Sequence, residues 1–209
     1  MQPNPSYLVP SRSAKRADYD SETIYSILDE ALFCTISYCV ENKPFSIPTS
    51  FVRYENKIYV HGSVGSHFLR EIEKGIPVCI SVMLADSLVV AKSAFSHSVN
   101  YRSVVIFSNA EKVEEKDLKI ASFEWLTNKV VPESWEYLRP VKDSEVRKTT
   151  VLSFSLQEAS AKIRAGMPND EPEDLELPIW SGIISLNNSR MPAIADESSK
   201  NIPLPKHLY

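Results

Sequence analysis

The sequence predicts a mainly β fold with a few helices (α+β): an antiparallel barrel or sandwich with one helix inserted. Three observations predict it. From Leu32 to Val113, runs rich in strand-forming residues recur with short turns between them. The helical spacing inside that stretch begins only after the Gly/Ser loop from His61 to His67. Further on, Leu152, Phe154 and Leu156 alternate with Ser153, Ser155 and Gln157, the period of a half-buried strand.

The elements follow in chain order. Residues 1–17 carry three prolines and read as an arm that orders only by lying on something else. Asp20 can cap a helix whose apolar residues Ile24, Ile27, Leu28 and Ala31 form one stripe, suited to covering a barrel end. Leu32 to Val40, a turn at Glu41 to Pro44, Phe45 to Tyr54, a turn at Glu55 to Lys57, and Ile58 to Val60 make a three-stranded meander. The third strand runs into His61-Gly62-Ser63-Val64-Gly65-Ser66-His67. A helix then covers roughly Phe68 to Lys74, ended by Gly75 and followed by Pro77. Val78 to Leu84 and Leu88 to Ala94 flank Ala85-Asp86-Ser87 as a second hairpin, and Tyr101 to Val113 gives the longest late strand.

Asp117 to Val131 is a helix with Leu118, Ala121, Trp125 and Leu126 inward, stopped by Pro132. Trp135, Tyr137 and Leu138 suggest a short further helix. After the alternating strand at Leu152 comes an acidic surface loop, Met167 to Glu176, then a last strand from Pro178 to Leu186 carrying Trp180. The chain has no internal repeat and no linker between two units. The expected division is an arm at 1–17, one domain at 18–186 and a tail at 187–209.

Composition excludes several functions. A formal charge of −4 over 209 residues gives no electrostatic footprint for nucleic acid or an anionic membrane. Cys34, Cys39 and Cys79 are an odd count without a CxxC pair, which argues against a disulfide framework or a structural zinc. Cys34 and Cys39, five apart on one strand, point to opposite faces. No apolar leader or membrane-length run occurs, so a soluble, cytoplasmic protein is expected and the Asn187-Asn188-Ser189 sequon carries no information.

The loop at 61–67 is the first candidate for chemistry. Its glycines permit unusual backbone angles, its serines offer hydroxyls, and a following helix start can present N–H groups to an anion. The alternative is an ordinary strand-to-helix turn with Ser66 as its cap. Neither GxGxxG nor GxxxxGK[ST] is present. Ser96-His97-Ser98 is not a nucleophile motif, because adjacent side chains on a strand face opposite ways and no GxSxG elbow occurs.

Four runs in one order carry a more specific signal: HGSVGSHFLREI (61–72), SAFSHSVNYRSVVIF (93–107), EASAKIRAG (158–166) and LPIWSGIISL (177–186). Over roughly residues 19–186 the chain resembles the flavin-nucleotide-binding branch of the pyridoxamine 5′-phosphate oxidase-like proteins. The resemblance implies an FMN-binding split barrel, a six-stranded antiparallel Greek-key barrel that forms a homodimer with two flavin sites at the subunit interface. It implies that Thr49, Ser50 and Phe51 run along the flavin ring, that His61, Gly62, Ser63, Ser66 and His67 hold the phosphate end, and that Trp180 covers the ring from the other subunit. Lys162 and Arg102 would supplement the phosphate site if the fold brings them near. His97, Asn100, Tyr101 and Arg102 form the expected substrate-side wall.

The chain also departs from the family pattern. Relatives place an Arg or Lys after the loop serine where this chain has His67, a weaker phosphate partner than a guanidinium fork. Thr35 and Ser96 stand where many relatives carry His. Pyridoxamine phosphate oxidation uses a basic cluster that is absent here; Arg139, Arg147 and Lys148 read as solvated surface charges.

Three functions are consistent with these residues. The first is an FMN-dependent oxidoreductase acting on an unidentified small molecule. The second is a non-catalytic split barrel that has lost FMN and holds another small ligand or none. The third is a haem-handling relative with His61, His67 or His97 as axial ligand. No metal-ligand cluster is read from the sequence.

Overall fold

The structure, a computed structural model, describes residues 5–9, 12–187 and 189–208. Among the described residues eleven strands and four α-helices follow in the order β1 (Ala17–Asp18), α1 (Ser21–Glu30), β2 (Phe33–Val40), β3 (Lys43–Ser50), β4 (Val52–Tyr54), β5 (Lys57–Ser63), α2 (His67–Ile72), β6 (Pro77–Val90), β7 (Ser98–Asn109), β8 (Glu111–Lys112), α3 (Lys116–Val130), α4 (Asp143–Arg147), β9 (Thr149–Ser155), β10 (Ala159–Arg164) and β11 (Gly182–Ser185). One sheet has the order β1-β10-β7-β6-β2-β3 with β11 on β6; the other has β4-β5-β9-β8. Single residues join them: β3 runs into β4 across Phe51, and β7 into β8 across Ala110.

Those two continuous strands close a ring. Going round it, β2 is followed by β3–β4, β5, β9, β8–β7 and β6, which returns to β2. The expected six-stranded antiparallel barrel is therefore present. Its third and fourth strands, β5 and β6, are not neighbours, which is the Greek-key crossing, and α2 makes the connection. Beyond Ala110 the strands divide. β10 pairs with Tyr101 to Ile106 of β7, while β9 pairs with β8.

Local chemistry sets the ends of the early elements. Asp20 accepts the Thr23 N–H to cap α1, and Ile24, Ile27 and Leu28 are buried. The first hairpin turns at Glu41 and Asn42 and the second at Glu55, all with positive φ. Gly75, at φ +78°, ends the α2 segment where a Cβ would be strained. The barrel interior is one cluster that joins Ile36, Phe51, Ile58, Val60, Ile80, Ile106 and Phe154 to the α1 stripe.

Several expectations need correction. Ala85-Asp86-Ser87 is not a hairpin: β6 runs unbroken from Pro77 to Val90, and Asp86 is a bulge residue between the Ala85–Tyr101 and Ser87–Asn100 pairs. Turn-forming residues there signal a bulge, which also accepts an extra residue without reversing the chain. The turn lies later, between β6 and β7. β9 is not half-buried: Thr150, Val151, Leu152, Ser153 and Phe154 are all buried. Ser153 lies among the side chains under α3, its hydroxyl donating to the Glu111 carbonyl. β10, Ala159–Arg164, has no counterpart among the elements expected from the sequence. The last strand is shorter than expected, Gly182–Ser185, leaving Trp180 before it.

α3 covers the outer face of the small sheet. Trp125 stacks on Tyr54 at 3.8 Å between centroids and meets Tyr59 edge-on at 5.3 Å. The arm lies on β10. Ala17 and Asp18 pair with it, Leu8 is buried, and the Tyr7 hydroxyl donates to Glu158 at 2.9 Å.

Candidate functional site

The loop after β5 is built from its own hydrogen bonds. Ser63 Oγ accepts the Gly65 N–H, the Ser63 carbonyl accepts the Ser66 N–H, and the Lys148 carbonyl accepts the Val64 N–H. Ser66 Oγ accepts the Leu69 N–H, so Ser66 is the cap of α2. Most of the N–H groups that could have faced an anion are thereby engaged. Gly62 is required by packing, since a Cβ there would lie 2.8 Å from Leu69 Cδ1.

Beside this loop is a groove of about 530 Å³, lined by His61, Gly62, Ser63, Phe123, Glu145 and Lys148, among others. The β5–β9 pairing places it, since Ser63 is opposite Thr149. His61 sits edge-on to Phe123 with centroids 5.2 Å apart, and burial lowers its pKa, which keeps the imidazole neutral. His67 differs. Its side chain is 72% exposed, and its nearest charge is Glu71, 3.9 Å from Nε2.

The sequence missed two cations of this neighbourhood. Lys148 lines the groove, and Arg70 donates to the Gly65 carbonyl at 3.4 Å. Arg70 was visible one turn into the helix. Lys148 is far along the chain and is brought in only by the β5–β9 pairing, a non-local contact without a local signal.

Within one chain, Lys162 and Arg102 are engaged away from the loop. Lys162 is on β10 and donates to the Arg12 carbonyl, far from β5 in the strand order. Arg102 is held by Glu30 at 2.5 Å and by Asp86 at 2.7 Å. Of the four residues of the expected substrate wall, Asn100, Tyr101 and Arg102 lie together on β7 and His97 just before it. Asn100 is buried, donates to Ser87 Oγ and the Gly166 carbonyl, and accepts from Arg164. His97 Nδ1 is 2.8 Å from the Ser93 carbonyl, in the turn before β7. Tyr101, next to Arg102 on β7, pairs with Arg164 of β10.

Arg102 instead lines a second cavity, of about 670 Å³, at the end of α1. Phe33, Met83, Asp86, Lys129 and Arg190 share it. Phe51 is fully buried and lies under Lys129, whose Nζ is 3.7 Å from the ring centroid. Thr49 and Ser50 are half-buried. They end β3, where Ser50 pairs with Phe33 and Thr49 with Cys34 of β2, just before the Val52–Tyr59 pair of the β4–β5 ladder. Trp180 is 64% exposed, which excludes a core role. Among the described residues no cluster of three or more potential metal ligands occurs, and no helix is long and apolar enough to cross a membrane.

Comparison with known proteins places this architecture. Residues 20–163 match the family model described as pyridoxamine 5′-phosphate oxidase. The solved structure of the flavocytochrome Anf3 from Azotobacter vinelandii is similar, with a TM-score of 0.91 and 32% identity over 99% of this chain and 97% of that one. So is the FAD and haem binding protein from Mycobacterium smegmatis, with a TM-score of 0.86 and 29% identity over 92% and 95%. No curated protein sequence matches the chain.

Proposed function

The chain belongs to the pyridoxamine 5′-phosphate oxidase family, and from that premise we propose that it is a homodimeric flavoprotein, an oxidoreductase acting on a small organic molecule. One observation supports this above the others: the loop between β5 and α2 is held by its own hydrogen bonds, with Arg70 donating to its Gly65 carbonyl and Lys148 lining the groove beside it.

The donor set fits a flavin nucleotide. Lys148, Arg70 and the Ser63 and Ser66 hydroxyls would hold the phosphate end. Thr49 and Ser50 would meet the polar edge of the ring. A bound flavin supplies reversible electron transfer, and the protein supplies position and electrostatics. His61, neutral against Phe123, adds an apolar wall without a competing charge. Trp180, Ile183 and Ile184 are large apolar side chains left exposed on and before β11. In a homodimer they would be covered, with Trp180 against the second subunit's site.

A second reading adds haem. Both similar structures are named for it, one as a flavocytochrome and one as an FAD and haem binding protein. Here the exposed His67 imidazole is the axial candidate, because His61 is wedged against Phe123 and His97 is engaged with Ser93.

The absorption spectrum of the purified protein tests both readings. Flavin bands are expected, and a Soret band in addition if haem is held; heat release and chromatography then separate FMN, expected from the sequence, from FAD. Lys148→Ala is expected to weaken flavin binding about tenfold, the loss of one charge-assisted contact. No flavin as isolated, and no quenching of added FMN or FAD, would overturn the proposal in favour of a barrel that holds another ligand or none.

A further inference from the structure

The cavity at the end of α1 shares no lining residue with the groove at His61–Ser63. Arg102, on its wall, is paired twice, with Glu30 and Asp86, and the wall carboxylate Asp29 is paired with Arg53 from outside the lining, through Nε at 2.8 Å and Nη2 at 2.6 Å. Arg190, a third cation of the wall, is exposed and donates to the Val130 carbonyl at 3.1 Å. Lys129 has no carboxylate within ion-pair distance among the described residues. Its Nζ donates to the Leu28 carbonyl at 2.9 Å, capping the end of α1, and rests on the Phe51 ring. Around it the cavity exposes large apolar side chains: Phe33 is 64% and Met83 69% accessible, and Leu186 is also exposed. A part-buried lysine without an ion-pair partner among the described residues, with the exposed Arg190 on the same wall and exposed apolar side chains around it, is the pattern of a site for an apolar body bearing a negative charge.

We propose that this cavity binds a small aromatic carboxylate, with its carboxylate paired to Lys129 and its ring among Phe33, Met83 and Leu186. The proposal does not rest on the flavin reading. The anion would replace the solvation that Lys129 loses on burial, an exchange that an already paired Arg102 or Arg53 does not offer.

The protonation of Lys129 gives the site a pH signature. Burial lowers its pKa to about 8, against the raising effects of Asp29 on α1 and Cys34 on β2, with Arg53 on β4 lowering it further. Cys34, with its thiol pushed up to about 12 by burial, stays neutral in this range, and Arg53 and Arg102 stay charged. Glu30 and Asp86, on the cavity wall, are paired with Arg102. A bound carboxylate favours the ammonium form. Affinity is therefore flat below about pH 8 and weakens above it, by up to about tenfold per pH unit.

The test uses 2-naphthoate and its neutral amide, 2-naphthamide, titrated calorimetrically into the purified full chain. The acid is expected to bind about tenfold or more tightly than the amide at pH 7, with affinity falling above pH 8. Lys129→Met is expected to lose about tenfold in naphthoate affinity. Lys129→Arg keeps the affinity and abolishes the pH dependence. Equal binding of acid and amide, a flat pH profile in the unmutated chain, or unchanged naphthoate binding by Lys129→Met would each overturn the proposal. If Lys129→Met does not fold, the acid–amide ratio and the profiles of the unmutated and Lys129→Arg proteins decide it.

Discussion

The two sheets share two strands but bury their residues differently. In the small sheet, β9 is buried at five consecutive positions, because the barrel interior lies on one side and α3 on the other. In the large sheet, β2 and β6 alternate: Cys34, Ile36 and Tyr38, with Val78, Ile80 and Val82, face in, while Phe33, Thr35, Ser37, Ser81 and Met83 face out. One sheet is completed by its own chain. The other presents an outer face that the described residues leave accessible, and the cavity with Lys129, lined by the outward Phe33 and Met83, opens on that side. The difference separates the part of the molecule that sets stability from the part available to ligands and partners.

The largest expected effect tests the covered sheet. Phe154 is fully buried on β9, inside the barrel cluster. Phe154→Ala should cost about 3–5 kcal/mol by denaturant titration, since it removes an aromatic side chain and leaves a cavity. Ser81→Ala, on the open face of β6, should change stability by no more than about 0.5 kcal/mol. Similar losses at the two positions would break the comparison.

The same contrast decides what the sequence reveals. β2 and the first half of β6, whose burial alternates because one face is open, were found from their strand-forming residues and the turns beside them. β9 also looked alternating, yet Ser153 is buried on the α3 side, where its hydroxyl donates to the Glu111 carbonyl, and Thr150 is buried on the opposite face. β10 was hidden because Ala159, Ser160 and Ala161 carry little apolar signal although all are buried. α1 and α2 were legible with their caps, since caps are local chemistry. The loop at His61–Ser66 was found for the same reason. Lys148 and Lys129 were not: each reads locally as a surface lysine, and only strand pairing in one case and the α3–α1 approach in the other gives it a role.

Stability against pH sharpens the role of Lys129. Its folded-state pKa is depressed to about 8 from the ordinary lysine value of 10.5, so between these limits the unfolded chain binds more protons than the folded one. Stability contributed by this group therefore rises with pH across that window and is flat below it. Melting curves from pH 7 to 10 should show the rise relative to Lys129→Met, which lacks the group. A difference that falls with pH would mean that Lys129 gains, rather than loses, stabilisation of its charge on folding.

A smaller effect is expected at the loop. Ser66→Ala removes the cap of α2 and should cost about 1 kcal/mol, read as a shift in denaturant midpoint. Flavin affinity should fall with it if the capped loop also positions the phosphate end. A loss of stability with unchanged flavin affinity would assign Ser66 to the fold alone.

The smallest effect on folding is expected at β11, in the large sheet. Ile184 is 50% exposed on a four-residue strand that pairs with β6 through Leu88. Within one chain, Ile184→Asp removes little burial and keeps every ladder hydrogen bond, so the stability of the isolated subunit should change by no more than about 0.5 kcal/mol. In a homodimer the same side chain would be covered, and a carboxylate there would have to be desolvated without a partner, a cost of several kcal/mol. Sedimentation of the unmutated protein should give a dimer and of Ile184→Asp a monomer with an unchanged melting profile at low concentration. A variant that still sediments as a dimer would move the interface off β11. Exposure of Trp180 and its neighbours would then have to be explained by a ligand instead of a second subunit.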